Sequence, residues 1–491
     1  MKQISIGTGY RLPMNSTQPP IRGPLAWAIC ATSFGFTAVQ LDVTIVNVAL
    51  PRIATDLHTT VAGLQWVVDA YTLAFAVLLL AAGVLGDRYG SRRAYLAGFV
   101  LFTLASAACA MANGAVFLVV ARVFQGIGAA LLVPSSLALL SHACAHDDRL
   151  RARAVAWWTA AGGVSIAAGP VVGGLLLGAL GWRSIFWVNV PVCTLGIVLS
   201  LRALPEIARS AQPRALDPLG QLLAILTMTG LIGAVIEGGH LGWTHPLVIT
   251  GFAMALLGGL LFVLAESRNP APMLPLAFFR LPDFSPAVIF GILVNLTYYG
   301  VIFVLSLYLQ QARGYSPLQA GMAFLPLTAT FIVSNMISGW LTSHFGSRPP
   351  MIIGALTGML GFALLSRLDN ASSFLTMLPA FMLIPGGMGL AVPAMTNTIL
   401  SSIKREWSGT ASAVLNAARQ MGGAMGVAAF GALVGGHTQI VAGLKVAALC
   451  SALLLLVAAA VAWFGIARIS AKPRQPRPKH DLPRPAESTQ N

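Results

Sequence analysis

Charged residues are scarce in this chain. They make up 9% of its 491 residues, against roughly a quarter in a typical soluble domain. Only 15 residues are acidic, whereas 56% are hydrophobic, and the mean hydropathy is +0.78. This balance excludes an ordinary soluble domain and a disordered chain, and it indicates a protein embedded in a membrane.

Motifs for catalysis and for ATP-driven work are also missing. The sequence has no catalytic triad, no paired glycosidase carboxylates and no Gly-x-x-x-x-Gly-Lys-Ser/Thr loop. The stretches outside the apolar runs are too short to hold a nucleotide-binding domain. We therefore expect a protein that is not an enzyme, that needs no cofactor, and whose uphill work uses an ion gradient.

Sites that depend on cysteine or histidine are not indicated either. The five cysteines are scattered and odd in number, which predicts neither a disulfide framework nor a metal site. The segment 142–148 contains His, Cys and Asp side chains, and a solvated loop explains it better than a metal site does. The polar residues 1–24, followed by an apolar run that contains Asp42, do not resemble a cleaved signal.

Long apolar runs fill most of the chain. A helix needs about 20 apolar residues to cross a bilayer, and the chain has about fourteen such runs. Lipid offers no water to backbone groups, so each run is predicted to be a helix and the fold class an all-α membrane protein. The predicted spans are about 25–49, 63–82, 94–113, 116–140, 153–178, 184–203, 219–237, 246–265, 285–310, 317–340, 350–367, 373–399, 410–436 and 440–467.

One short glycine-bearing turn occurs twice. It lies at Gly83–Arg93 after the second run, and a degenerate copy lies at Gly339–Arg348 after the tenth. Internal duplication is typical of secondary transporters. It predicts two pseudo-symmetric six-helix bundles plus two extra central helices. The predicted segments are an N-terminal tail (1–24), a first bundle (25–205), a linker with the two extra helices (206–270), a second bundle (271–468) and a basic C-terminal tail (469–491).

Basic residues are distributed unevenly between the two sides of these spans. With both ends of the chain placed in the cytoplasm, most of the 30 Lys and Arg residues fall on that side, as the positive-inside rule requires. The net charge of +15 is explained in this way without a nucleic-acid partner. We expect a multi-pass protein of the cytoplasmic membrane, with the lipid bilayer as its surroundings.

Five motifs in chain order resemble one family. The turn Gly83–Arg93 resembles the loop signature of the major facilitator superfamily. Leu41–Pro51 and Arg122–Gly128 resemble the first-span and fourth-span motifs of its fourteen-span drug:proton antiporter branch. Gly169–Gly174 resembles the antiporter motif of span five, and Leu64–Leu73 is similar to the second span of quaternary-ammonium and methylenomycin-type exporters. The resemblance implies a major facilitator fold and proton-coupled drug export.

Two charges lie deep inside predicted spans. An ionised carboxylate at Asp42 in span one is costly unless it is paired or faces water, and Arg122 in span four is the natural opposite charge. Such a pair can couple proton binding to conformation. A purely structural pair that holds the bundle together is the alternative.

A second carboxylate, Asp69, lies in span two toward the outer side. It could attract a cationic substrate or take a second proton, and a solvated, idle carboxylate is the alternative. Trp66 and Tyr71 are weaker candidates for substrate contact, because aromatic residues at span ends commonly form the interfacial belt.

The glycine turn is the candidate gate, with Gly83, Asp87, Arg88, Gly90 and Arg92 as its residues. A carboxylate there can meet the positive end of a neighbouring helix. The family resemblance implies that this contact holds the inner gate shut while the transporter faces outward. One departure from the family signature is the serine that precedes Arg92, where a basic residue is usual.

Span five and span thirteen carry further candidates. Gly169, Pro170, Gly173 and Gly174 can form a close-packed, kinked interface between the halves, although ordinary tight packing would give the same pattern. Arg419, in the corresponding run of the second half, is a candidate to face the cavity, and the sequence shows no acidic partner for it.

Together these features predict a proton-coupled antiporter that exports hydrophobic, cationic small molecules by alternating access. An exporter of an endogenous metabolite or antibiotic is a second candidate, and a non-transporting membrane sensor or scaffold is a third. Some relatives in this family work with a periplasmic adaptor, but no segment of this chain indicates one.

Overall fold

The structure, a computed structural model, describes residues 23–144, 148–206, 216–270, 272–369, 371–403, 407–435 and 440–467. Helices and short connections account for these residues, and they contain no strand. The two predicted tails lie outside the described residues, apart from residues 23 and 24.

Sixteen α-helices follow one another along the described chain. The first seven are α1 (Gly23–Asp56), α2 (Val61–Tyr89), α3 (Ser91–Ala110), α4 (Ala115–Ala143), α5 (Asp148–Leu180), α6 (Ser184–Trp187) and α7 (Asn189–Ala203). Two follow as α8 (Pro218–Leu241) and α9 (Pro246–Arg268). The last seven are α10 (Phe284–Leu307), α11 (Pro317–Ala323), α12 (Leu325–Phe345), α13 (Arg348–Leu365), α14 (Phe374–Ser402), α15 (Ser408–Gly435) and α16 (Ile440–Gly465).

Each predicted span coincides with one of these helices or with a broken pair of them. In the described residues, 13 helical stretches are long and apolar enough to cross a membrane. The remaining span is α15, whose 28 residues include Arg419 and Gln420. Since polar residues lower the hydropathy of a helix, α15 is recognised by its length and position rather than by composition.

Short polar residues set the helix ends. The side chain of Thr60 accepts a hydrogen bond from the Gly63 amide at the start of α2, and Asp217 does the same for Gly220 at the start of α8. Such caps satisfy amides that have no partner inside the helix. Gly90 separates α2 from α3 with a φ of 100°, a conformation that glycine adopts without steric cost.

The helices pack in two groups joined by a pair. α1 to α7 contact one another, and α10 to α16 contact one another. We call these groups the first half and the second half. α9 packs on α8, and α8 lies against both α2 of the first half and α15 of the second. The pair α8–α9 therefore covers one side of the seam between the halves.

Hydrogen bonds join the halves at one end of the bundle. Gln65 Nε2 donates to the carbonyl oxygens of Val427 (3.0 Å) and Ala428 (2.6 Å). Ser306 donates to the Asn47 carbonyl, and Gln310 Nε2 donates to that of Val48 (2.9 Å). All these contacts lie at the end opposite to the turn Gly83–Arg93. We call the end that carries these contacts the far end, and the end that carries the turn the loop end.

Glycines bring α5 and α11 together at the far end. A Cβ at Gly174 would lie 2.7 Å from the carbonyl oxygen of Pro317. From the other side, Gly321 approaches the carbonyl oxygen of Pro170 too closely for a side chain. This joint connects the two halves through backbone contact.

Replacing Gly174 by alanine is expected to weaken the joint between α5 and α11. The new methyl group would meet backbone atoms of Pro317 and Leu318, which cannot turn aside as a flexible side chain does. Overpacking of this kind costs about 1–3 kcal/mol. The apparent Tm of the purified full-length protein in detergent micelles should fall accordingly.

Gly178→Ala is the matched control, one turn further along the same helix. A Cβ there meets nothing within 4 Å, and alanine is the better helix former, so its Tm should be unchanged or slightly raised. Equal Tm values for the two variants would contradict a close joint at Gly174.

Candidate functional site

Asp42 of α1 and Arg122 of α4 form an ion pair inside the first half. Nη1 of Arg122 donates to Oδ2 of Asp42. Their side chains are 0% and 1% exposed. The structure thus brings together the two deep charges that the sequence singled out.

Two amide side chains complete the surroundings of Asp42. Oδ1 of Asp42 accepts hydrogen bonds from Gln125 Nε2 (2.8 Å) and Asn189 Nδ2 (3.0 Å). Gln125 Oε1 in turn accepts from Arg122 Nη1 at 2.7 Å, and its Nε2 also donates to Ser106 Oγ at 2.8 Å. Three side-chain donors therefore surround this one carboxylate, and both of its oxygens have partners.

Arg122 also ties α2 to this network. Its Nε donates to the carbonyl oxygen of Val67 at 2.9 Å, and its guanidinium lies 4.2 Å from the ring centroid of Tyr71. Tyr71 is fully buried, and its hydroxyl donates to the Val39 carbonyl at 3.4 Å. In this conformation Tyr71 packs beneath Arg122 and lines no open surface.

Sequence reasoning missed three members of the network. Gln125 lies inside the fourth-span motif, but no role was assigned to it. Asn189 is an amide in the apolar span 184–203, a signal that could have marked it as a buried polar partner. Ser106 gave no signal, because single serines are common in apolar helices and usually bond to their own backbone.

Asp69 of α2 lies in the seam between the halves. Gln65, four residues before it, contacts α15, and Trp66, three residues before it, contacts α8. Residues three and four apart share a helix face, so Asp69 points toward these two helices. Its side chain is 0% exposed, and neither carboxyl oxygen has a hydrogen-bond partner among the described residues.

Trp66 packs on the extra helix α8. Its Nε1 donates to Glu237 Oε1 at 2.9 Å, and a Cβ at Gly233 would lie 3.2 Å from its ring. Trp66 is partly buried in this contact. The structure therefore places it between helices, beside the residues that enclose Asp69.

The glycine turn at the loop end is open to the surroundings. Asp87 and Arg88 are exposed, and no hydrogen bond or ion pair links Asp87 to any residue that the structure describes. Arg92 Nη2 donates to the Leu201 carbonyl at 2.9 Å, which fastens the start of α3 to the end of α7. A Cβ at Gly83 would meet nothing within 4 Å.

The glycines of α5 face two different partners. Gly169 and Gly173 lie against Thr44 and Ile45 of α1, next to Asp42 along that helix. Gly174 lies against α11 of the second half. Pro170 is inside the helix, and its carbonyl oxygen is the atom that Gly321 approaches. The motif therefore packs both within the first half and across the joint.

Arg419 of α15 is partly exposed. Its Nε is buried without a partner, and it forms no hydrogen bond or ion pair with a described residue. The glycines that follow it bring α15 against α10, since a Cβ at Gly422 would lie 2.5 Å from the Ile292 carbonyl oxygen. Helix packing in this region thus does not use the guanidinium.

Comparison with known proteins agrees with this architecture. The family model of the Major Facilitator Superfamily matches residues 32–427. The methylenomycin A resistance protein of Streptomyces coelicolor is 37% identical over 447 residues, which cover 91% of this chain and 93% of that protein. Multidrug resistance protein Stp of Mycobacterium tuberculosis is 37% identical over 406 residues, covering 83% of this chain and 75% of that protein.

A third relative is the tetracenomycin C resistance and export protein of Streptomyces glaucescens. It is 34% identical over 414 residues, which cover 84% of this chain and 77% of that protein. The family expected from the sequence motifs is confirmed, as is the all-α membrane fold. The chain belongs to the major facilitator superfamily.

Proposed function

We propose that this protein is a transporter, not an enzyme, and that it exports hydrophobic drugs or antibiotics in exchange for protons by alternating access. The observation that carries the proton-coupling part is Asp69, a carboxyl group buried in the seam between the halves with no hydrogen-bond partner among the described residues. The relatives named for drug resistance and antibiotic export support the transport part.

Asp69 suits a proton carrier better than Asp42 does. Arg122 and two amide side chains already occupy both oxygens of Asp42, which favours the structural alternative for the Asp42–Arg122 pair. No described residue supplies a counter-charge to Asp69, and an unpaired anion costs several kcal/mol in such surroundings. A carboxyl group in that position is stable when it carries a proton.

Burial of Asp69 couples its protonation to whether the two halves are closed or open at the far end. When Asp69 is neutral, α2 can close against α15 and α8, and the far end is shut as in this structure. When Asp69 loses its proton, the seam would have to bury an unpaired charge, so the far end opens and hydrates it. Proton binding from the far side then drives closure again.

The orientation follows from charge. The basic residues place the loop end in the cytoplasm and the far end outside, with both termini cytoplasmic. With this orientation, the hydrogen bonds that join the halves at the far end support an inward-facing state of a protein in the cytoplasmic membrane. In this state Asp87 forms no hydrogen bond or ion pair with a described residue, as expected of a latch that engages only when the loop end closes.

The names of relatives bear on the substrate. Two of them refer to single antibiotics, methylenomycin A and tetracenomycin C, and one to multiple drugs. We propose hydrophobic antibiotics or drugs as the substrate class. The sequence predicts a cationic substrate because Asp69 could attract one. Asp69 is enclosed in this conformation, so a positive charge on the substrate stays a prediction.

Asp69→Asn should abolish proton-driven transport and leave the fold intact. Asparagine mimics the neutral carboxyl group but cannot release a proton, so the far end loses its signal to open. We expect at least a tenfold lower initial rate of ethidium uptake into inverted membrane vesicles under an imposed acid-inside pH gradient. The apparent Tm of the purified variant should stay within a few degrees of wild type.

Glu237→Gln is the matched control for this experiment. It removes a carboxylate from the facing helix α8, and the amide oxygen can still accept the hydrogen bond of Trp66 Nε1. Its gradient-driven uptake should resemble wild type. Wild-type uptake by Asp69→Asn at equal expression would remove Asp69 from the mechanism.

Asp42→Asn should behave in the opposite way and destabilise the protein. Loss of the anion leaves the buried Arg122 without its counter-charge, and breaking a buried pair costs about 3–5 kcal/mol. We expect a clearly lower apparent Tm in detergent. The double variant Asp42→Asn/Arg122→Gln should recover part of the loss, because it removes the orphaned charge. An unchanged Tm in the single variant would argue against a structural pair.

A further inference from the structure

Arg419 is an unpaired cation in the second half. It is partly exposed, its Nε has no partner, and no described residue forms a hydrogen bond or ion pair with it. The two deep carboxylates cannot serve it, because Asp42 is occupied by Arg122 and Asp69 is enclosed in the seam. An ionisable side chain inside a membrane bundle that has no partner among the described residues is a candidate functional site.

Arg419 lies on a helix that packs against the first half. α15 is the second-half helix that packs on α2, and it also packs on α10. Asn416, Arg419 and Gln420 are partly exposed, whereas Ala417 and Ala418 between them are buried. The polar side chains of this turn are therefore not fully covered by the helices that pack around it.

An aromatic ring completes the surroundings of this turn. Tyr299 of α10 is the titratable group that interacts electrostatically with Arg419. Gly423, one turn after Arg419, leaves room for that ring, since a Cβ there would lie 3.1 Å from it. Arg419, the Tyr299 phenol and the amide side chains of this turn therefore belong to one stretch of the contact between α15 and α10.

We propose that Arg419 binds an acidic group of the exported molecule, so that the substrates include hydrophobic compounds with a carboxylate, zwitterions among them. The proposal rests on the transport function proposed above. A guanidinium matches a carboxylate through two parallel hydrogen bonds, and its weak hydration makes the exchange of water for ligand inexpensive. The neighbouring phenol ring supplies apolar contact for the body of the ligand.

This assignment changes the driving force for export. Exchange of one inward proton for a monovalent cation moves no net charge. Exchange of one proton for an outgoing zwitterion moves one charge inward, and exchange for an anion moves two. Substrates bound through Arg419 would therefore be exported by the membrane potential as well as by the pH gradient.

Two rhodamine dyes that differ at one group test the proposal. Rhodamine 110 carries a free carboxylate, and rhodamine 123 is its methyl ester. Binding of each dye to purified full-length protein in detergent micelles is measured by fluorescence anisotropy. We expect Arg419→Gln to weaken rhodamine 110 binding at least tenfold and to change rhodamine 123 binding less than twofold. Arg419→Lys, which keeps the charge, should restore part of the rhodamine 110 affinity.

The outcomes separate this inference from the proposed transport function. Equal loss of both dyes in folded Arg419→Gln, unchanged rhodamine 110 affinity, or no rhodamine 110 binding by wild type would each overturn the assignment to Arg419. Proton-driven uptake of rhodamine 123 into inverted vesicles that carry the wild-type protein tests transport alone. Absence of this uptake in wild type with selective rhodamine 110 binding intact would count against proton-coupled export and leave the anion site standing.

Discussion

A charge inside an apolar helix bundle must be paired, neutralised or given access to a polar partner. This constraint accounts for four ionisable residues that lie deep in the described helices, Asp42, Arg122, Asp69 and Arg419. Asp42 is paired with Arg122 and two amides. Asp69 has no partner and is enclosed, which we interpret as a protonated carboxyl group. Arg419 has no partner and is partly exposed, which we interpret as a ligand site. The electrostatic cost of a charge in an apolar bundle is thus avoided by pairing at Asp42 and Arg122, by protonation at Asp69 and by ligand binding at Arg419.

The seam that encloses Asp69 is also the surface that alternating access would have to separate. Its contacts are side-chain donors on backbone carbonyls, such as Gln65 on α15, and glycine-mediated backbone contact at Gly174 and Gly321. Bonds of this kind are individually worth about 1 kcal/mol, so they can exchange with water without large cost. The extra helix α8 covers one side of the seam through the hydrogen bond between Trp66 and Glu237. The pair α8–α9 therefore takes part in the proposed mechanism.

Much of the fold was predictable from local sequence. Hydropathy located each span, with ends that differ from those of the helices by up to seven residues, because the lipid environment imposes helix on every long apolar run. The site was predictable only in part. Asp42, Arg122 and Asp69 stood out as charges in apolar surroundings, but Asn189, which bonds to Asp42, lies 147 residues further along the chain. Spacing along one helix carries no information on such contacts. The contact of Trp66 with Glu237 escaped prediction for the same reason.

The sequence by itself determined the membrane-embedded helices, their number and the family, because composition, repeats and motifs are properties of the linear chain. Only the tertiary structure decided which charges are satisfied. Asp42 and Asp69 are both aspartates in apolar spans, and no local pattern distinguishes them. Their surroundings come from five helices around Asp42 and three around Asp69, and the free energy of an ionised group depends on the donors within a few ångströms of it. Those donors are brought together only when the helices pack.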